Sequence, residues 1–212
     1  MLKIKIITML KTTFISLAEI YTGEKKIATD LWEEIASNYG NKKRHYHNLD
    51  HLECLLEELL PIKTQIKDWD TLLFSLYYHD IIYNPLKTTN EEKSAEFAAN
   101  RLQLIEAPAS VIKGCIAQIL ATKKHAVDDN SDTNYFTDAD LSILGQPWEI
   151  YSDYYTKIRK EYALYPDLIY MPGRKKVLLH FLEMQRIFKT EYFFNSYEKQ
   201  ARENMRQELE SL

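Results

Sequence analysis

Two stretches of the sequence carry side chains that suit metal binding and acid–base chemistry. His79 and Asp80 stand side by side at the end of the apolar run 72–78. An ionised carboxylate buried without a partner costs much free energy, and a bound cation is one way to compensate it. Upstream, His45, His47 and His51 account for three of the chain's 6 histidines. Imidazole and carboxylate groups together are ligands for divalent metals, so the pattern predicts a metal site.

A helix through the His79-Asp80 pair would point both polar groups towards the core. At about 100° per residue, Leu72, Leu76 and His79 share one face with Tyr83, and Asp80 lies at its flank. A bound metal would explain why two polar groups lie on an apolar helix face.

The upstream histidines flank a predicted helix start. Asn48 is a good N-cap, because its side chain can accept a bond from a free amide of the first turn. A helix that begins after Asn48 places His51 in its first turn and His47 about one turn earlier. We therefore expect His51 to be a ligand.

Asp138 and Asp140 supply further candidate carboxylates ahead of an apolar run. Asp138 could open a helix, where a carboxylate meets free amides and the positive end of the helix dipole. Asp140 would face about 200° away from it and is the better ligand candidate. Whether Asp138 takes that place instead is left open.

The elements that must position these groups are predicted to be helices, giving an all-α fold. Periodicity is helical almost throughout and is interrupted by Gly40, several prolines and the polar run 128–135. Only residues 1–8 look strand-like, and Met9 could be the true start. Asn90 and Asn195 are predicted caps. The predicted helices are 12–21, 27–39, 49–60, 69–84, 90–105, 109–124, 138–145, 148–164, 173–190 and 195–210.

Length and composition favour one globular domain over residues 1–212, with a core of about 27–190 and a C-terminal helix at about 195–210. The chain has 45% hydrophobic residues and only 5 glycines and 6 prolines, which argues against disorder. A net charge of −4 provides no basic field for a nucleic-acid polymer or a membrane surface. Cys54 and Cys115 form no metal or redox pair, and we expect buried thiols in a cytoplasmic protein.

His51, His79-Asp80 and Asp140 resemble the ligand quartet of the HD superfamily of metal-dependent phosphohydrolases. His79 follows His51 by 28 residues, and Asp140 follows Asp80 by 60. The resemblance implies an HD-type helical bundle. It also implies that these four side chains hold a divalent metal, which could be Mn, Ni, Co, Fe, Zn or Mg.

Shorter motifs are similar to those around the site of cyclic nucleotide phosphodiesterases. They are Tyr46-His47-Asn48-x-x-His51, Leu120-Ala121-Thr122 with His125, and Ala139-Asp140-Leu141-Ser142. By this likeness His47 would protonate the leaving oxygen. The likeness over nearly the full chain is to a bacterial family of predicted HD phosphohydrolases of unknown substrate, which shares Asn90-Glu91-x-x-Ser94-Ala95, Arg159-x-Glu161-Tyr162 and Gly173-Arg174.

One departure limits the phosphodiesterase likeness. Those enzymes continue the His-Asp pair with a histidine and a glycine, whereas residues 81–85 here are Ile-Ile-Tyr-Asn-Pro. The glutamine with which they read the purine has no match. One metal is therefore expected, a second is left open, and cyclic nucleotides are a minor candidate substrate.

Four more residues are candidates for supporting roles. Glu91 could orient His47 or the attacking water, or it could stabilise a helix end. His125 could reach the phosphate or a second metal, or it could lie at a helix C-terminus. Arg44 and Arg174 are candidates for binding the substrate phosphate, although Arg174 could equally lie on a solvated basic face.

The expected function is hydrolysis of a small-molecule phosphoester, of a nucleotide or related metabolite, by an HD-superfamily enzyme. The alternative is an HD-like module that senses a nucleotide without turnover, and a further one is a structural protein that assembles through its C-terminal helix. A homo-oligomer is left open.

Overall fold

Residues 2–212 form ten α-helices and no β-strand in a computed structural model, which describes side chains from Met9 onwards. The predicted all-α class is confirmed. The helices are α1 (Leu2–Thr22), α2 (Lys25–Tyr39), α3 (Leu49–Leu59), α4 (Trp69–Tyr78), α5 (Asn90–Leu104), α6 (Ala109–Ala121), α7 (Ser131–Leu141), α8 (Trp148–Glu161), α9 (Asp167–Glu183) and α10 (Glu191–Ser211), with short 3-10 helices at Leu60–Gln65 and Ser142–Gly145.

The chain divides into two compact units. The first runs to Thr137 and the second from Asp138 to Leu212, so that the division falls inside the continuous helix α7. The sequence predicted a single domain without this division.

The first unit is built around aromatic side chains of α1, α2 and α4. The Phe14 ring lies 4.9 Å from the Tyr77 ring and 6.2 Å from the Trp32 ring, centroid to centroid. The Tyr77 hydroxyl donates a hydrogen bond of 2.9 Å to the carbonyl of Leu10, so that its one polar atom is satisfied inside the core. These contacts fix α4, the helix that leads to His79.

The second unit packs α10 against the 3-10 helix at Ser142–Gly145. The amide nitrogen of the Asn204 side chain donates to the carbonyls of Leu144 and Gln146, both at 2.8 Å. Gly145 is required at this contact, because a Cβ there would lie 2.5 Å from the Cβ of Tyr197. The approach of the two backbones leaves no room for a side chain.

The structure corrects the predicted end of α4. The helix ends at Tyr78 rather than at residue 84, and His79 is its C-cap. Side chains from other segments take up the backbone groups that follow. The Asp80 amide donates to the Tyr39 hydroxyl, and Arg44 donates to the carbonyl of Asp80, in place of the bonds that a continuing helix would form. The pair therefore stands in a turn.

The boundaries of α7, α9 and α10 also differ from the prediction. Helix α7 begins at Ser131, inside the polar run that was read as a break, and ends at Leu141. Helix α9 begins at Asp167 rather than at residue 173, with Pro172 as its sixth residue, and it ends at Glu183 rather than at residue 190. Helix α10 starts at Glu191 with Thr190 at the N-cap position, so the predicted cap at Asn195 is wrong.

Smaller expectations have mixed outcomes. Residues 2–8 are helical rather than strand-like, and Met1 lies outside the described residues. Asn48 does cap α3, since its side chain accepts from the Asp50 amide at 2.8 Å. Thr89, not Asn90, holds the cap position of α5.

Cys115 is buried as expected, but Cys54 is exposed. Among the described residues, no helix combines the length and the apolar character that crossing a membrane requires.

Candidate metal centre

His79 presents one ring nitrogen to the centre of a cluster. The side chain is 1% exposed, and its Nδ1 lies 2.9 Å from the carbonyl oxygen of Leu76. Because a carbonyl oxygen only accepts, Nδ1 must carry the proton, and Nε2 of the neutral ring then keeps its lone pair. A ring nitrogen bonded to a backbone carbonyl is the usual outer partner of a metal-ligating histidine.

His51 meets His79 from the first turn of α3, as predicted. It is 3% exposed, and its Nε2 lies 3.1 Å from Nε2 of His79. Asp80 adds a carboxylate oxygen, since its Oδ2 lies 3.2 Å from Nε2 of His79 and 3.9 Å from Nε2 of His51. Three potential ligand atoms from two separate segments of the first unit therefore converge.

Asp140, the fourth residue of the predicted quartet, lies on α7 beyond the division after Thr137, and its role as a ligand stays a prediction. Asp140 stands one turn after Phe136 on the continuous helix α7, and the Phe136 ring lies 5.7 Å from the His79 ring. The same helix thus carries both the ring that contacts His79 and the carboxylate.

Asp138 has a different task, which bears on the open choice between the two aspartates. It is 0% exposed and accepts hydrogen bonds from the backbone amides of Lys189 and Thr190 at the start of α10. Its carboxylate also pairs with Nζ of Lys189 at 3.0 Å. Asp138 therefore does meet free amides at a helix start, but those of α10 rather than of its own helix.

His47 lies beside this cluster, before the start of α3. Its Nε2 is 4.0 Å from Oδ2 of Asp80, and the side chain is 20% exposed, in contrast to the two buried histidines. The ring stacks on Tyr83 with centroids 4.3 Å apart and planes at 29°. A partly exposed histidine next to buried ligands has access both to solvent and to the cluster, which a proton donor needs.

Arg44 and Arg174, the predicted phosphate-binding arginines, are both engaged in contacts within their own units. Arg44 is 9% exposed, and its guanidinium donates to backbone carbonyls on both sides of the cluster. Arg174 is buried and makes a two-pronged pair with Glu208, at 2.7 and 2.8 Å. These contacts assign structural tasks to both, and a contact with substrate stays a prediction.

Glu91 and His125 occupy helix ends. Glu91 lies in the first turn of α5, with Oε2 3.8 Å from Nζ of Lys123. His125 follows α6 with a positive φ of 49°, and its amide donates to the carbonyl of Ala121 at 3.0 Å, closing the helix in a left-handed cap. The catalytic roles predicted for them stay predictions.

Sequence reasoning missed two tyrosines that support the cluster. Tyr39, the last residue of α2, accepts a hydrogen bond of 3.1 Å from the Asp80 amide. Tyr83 stacks on His47. The sequence around each tyrosine does not indicate this contact, because the residue that it contacts lies 36 or more positions away. Their partners become visible only in the folded chain.

The donor set fits a divalent cation. Two imidazole nitrogens approach to 3.1 Å, and in a neutral His79 ring the nitrogen at the cluster carries no proton, because Nδ1 holds it against the Leu76 carbonyl. Carboxylate oxygens beside such nitrogens provide the mixed donors that borderline divalent metals prefer. His51, His79 and Asp80 are the residues of the first unit that would hold the ion, and Asp140 stays a predicted fourth ligand.

Comparison of the chain with protein-family models, with curated proteins and with solved structures gives no match in any of the three. What this cluster can do therefore follows from its own geometry.

Proposed function

We propose that the protein is a cytoplasmic, metal-dependent phosphohydrolase that cleaves a phosphoester of a small molecule, such as a nucleotide or related metabolite. The observation that carries the proposal is the convergence of His51, His79 and Asp80, with ring nitrogens 3.1 Å apart and a carboxylate oxygen 3.2 Å from one of them. Asp140 is proposed as the fourth ligand. The resemblance of the same four positions to the HD-superfamily quartet supports the proposal.

The chemistry divides between the cation and the protein side chains. A divalent ion held by the four ligands would supply a water of lowered pKa and would neutralise charge on the phosphoryl group. His47 would donate a proton to the leaving oxygen from its place beside Asp80. The outward exposure of His47 allows it to take up a proton again from solvent.

The choice of a phosphoester rests on the ligand set and on local charge. With a net charge of −4, the chain has no general attraction for anions, so the positive charge for a phosphate must come from the site itself. Four protein ligands in an octahedral shell leave two positions for water and a phosphoryl oxygen. A mononucleotide or sugar phosphate suits such a site better than a nucleic-acid polymer.

A screen of phosphorylated metabolites tests the proposal. Chelator-treated protein would be assayed for phosphate release from nucleotides, cyclic nucleotides and sugar phosphates after addition of Mn²⁺, Co²⁺, Ni²⁺ or Mg²⁺. We expect activity with at least one substrate and one metal, abolished in Asp80→Ala and retained in Asp30→Ala, a matched change at an exposed aspartate.

Binding without turnover across the whole screen would contradict the enzyme proposal. It would favour the nucleotide-sensing module instead. Activity that survives Asp80→Ala and does not depend on added metal would place the reaction elsewhere in the molecule.

A further inference from the structure

The Arg44 guanidinium joins the two chain segments that carry the cluster. Its Nη1 donates to the carbonyl of Asp80 at 2.6 Å and to that of His47 at 3.3 Å, and its Nη2 donates to the carbonyl of Ile81 at 2.8 Å. The His47 segment runs directly into His51. One buried side chain therefore bonds to the backbone beside ligands that lie about 30 positions apart in the sequence.

Aromatic rings hold this guanidinium in place. Its central carbon lies 4.9 Å from the centroid of the Tyr39 ring and 5.5 Å from that of the Tyr83 ring, within the range of cation–π attraction. Both tyrosines also contact the cluster, because Tyr39 accepts from the Asp80 amide and Tyr83 stacks on the His47 ring. Arg44, Tyr39 and Tyr83 thus form one support, which we call the arginine clamp.

The clamp needs an arginine rather than any cation. Its bonds leave from two terminal nitrogens of one rigid plane, and that plane also contacts the two rings. A lysine ammonium keeps the charge but is a single point on a flexible stem, and it cannot hold two carbonyl groups at a fixed separation while stacking. The charge alone would therefore not reproduce the geometry.

We propose that Arg44 is a positioning residue that sets the distance between the His47–His51 segment and the His79-Asp80 turn, and thereby the affinity of the metal centre. The inference rests on the proposed metal-dependent function. It assigns Arg44 a task other than contact with the substrate phosphate. Supporting residues of this kind change metal affinity by about 10- to 100-fold when they are replaced.

The test compares Co²⁺ binding to wild type and Arg44→Lys by titration and by the visible absorption spectrum of the bound ion. We expect about 10- to 100-fold weaker binding and an altered spectrum in the variant, because the ligands of the two segments are no longer held in register. The spectrum reports on ligand geometry and would not move if Arg44 only stabilised the fold.

Arg101→Lys is the matched control. Arg101 also lies in the first unit, holds a carboxylate through two nitrogens and contacts the Phe97 ring, but its partner is Glu34 rather than the cluster. We expect wild-type Co²⁺ affinity and spectrum in this variant. Equal weakening in both lysine variants would overturn the assignment, since it would reflect a general loss of stability.

Tyr39→Phe keeps the question decidable if Arg44→Lys does not fold. It removes only the hydroxyl that accepts from the Asp80 amide, and we expect weaker Co²⁺ binding in the same direction. Wild-type affinity in every folded clamp variant would refute the clamp and leave the metal centre standing. Failure of the wild type itself to bind Co²⁺ would overturn the proposed metal centre, and the clamp with it.

Discussion

At the scale of single residues, hydrogen bonds and burial distinguish the three histidines at the cluster, which are His47, His51 and His79. The backbone carbonyl of Leu76 fixes the tautomer of His79, so that its second nitrogen faces the cluster. His51 is buried against it, whereas His47 remains partly exposed. From the sequence, His47 was separated from His51 by the cap at Asn48 and by the phosphodiesterase likeness, which gave His47 the role of proton donor. The tautomer of His79 could not be predicted, because it depends on the turn at the end of α4.

His47→Ala should retain the bound metal and lose catalytic rate. A positioned proton donor contributes about 100-fold or more to a rate, and His47 lies beside the buried ligands rather than among them. Metal content and kcat would be measured on the same preparation. His45→Ala is the matched control, because His45 is an exposed histidine two residues away. Loss of metal from the His47 variant would reverse our assignment of roles.

At the scale of elements, helix starts with a capping residue of their own were predicted, and the start of α10 was not. The starts of α3 and α4 are capped by their own Asn48 and Asp68, which are local signals. At the start of α10, the amides of Lys189 and Thr190 donate instead to Asp138. Because these partners are 50 or more positions apart, no sequence window contains both.

Asp138→Ala should destabilise the protein, by about 3 kcal/mol in the free energy of unfolding. The change leaves two backbone amides and the buried Nζ of Lys189 without their carboxylate. Denaturant unfolding of the whole chain, followed by far-ultraviolet circular dichroism, would measure the loss.

The same position separates the two candidate fourth ligands. Folded Asp138→Asn should keep the metal, because the Asp138 carboxylate is already bonded to the amides of Lys189 and Thr190. Asp140→Asn should bind the metal more weakly, because Asp140 is the ligand that the HD resemblance implies. Metal loss in Asp138→Asn with retention in Asp140→Asn would exchange the two assignments.

The contact between α1 and α4 should weaken in alkali. Burial and the neighbouring Asp70 carboxylate raise the pKa of Tyr21 to about 12, from an ordinary value of about 10, and its hydroxyl donates to Asp70 at 2.9 Å. The folded state thus binds the proton more tightly than the unfolded state, so this stabilisation is complete below pH 10 and is lost as pH rises from about 10 to 12.

Tyr21→Phe provides the measurement. The variant should be less stable than wild type by about 1 kcal/mol at pH 8, and the difference should shrink between pH 10 and 11. Chemical denaturation of wild type and variant at pH 8, 10 and 11 would measure this difference in stability. A difference that does not change with pH would mean that Tyr21 titrates normally in the folded protein.

At the scale of the whole molecule, helical periodicity and the scarcity of glycine and proline were enough to predict the all-α class. The meeting of His51 with His79 and Asp80 could also be anticipated, because His51 follows the cap at Asn48 and the His79-Asp80 pair ends an apolar run. The supports were not predictable: Tyr39, Arg44 and Tyr83 act through distant backbone groups and rings. The division after Thr137 falls two residues beyond the polar run 128–135, which the sequence marked as a break between helices and not as a boundary between units.

Bound metal should stabilise the folded chain as a whole. An ion that binds only the folded state adds about 2.7 kcal/mol when its free concentration is 100 times its dissociation constant. The melting temperature of chelator-treated protein should therefore rise on addition of Mn²⁺, Co²⁺ or Ni²⁺. The rise should be absent in Asp80→Ala, whose cluster has lost a ligand.

The central claim is that His51, His79, Asp80 and Asp140 hold a divalent metal, and elemental analysis of protein purified without chelator tests it most directly. We predict close to one divalent ion per chain in the wild type and almost none in Asp80→Ala. Wild-type protein without a divalent ion, and without stabilisation by added Mn²⁺, Ni²⁺ or Mg²⁺, would contradict the account.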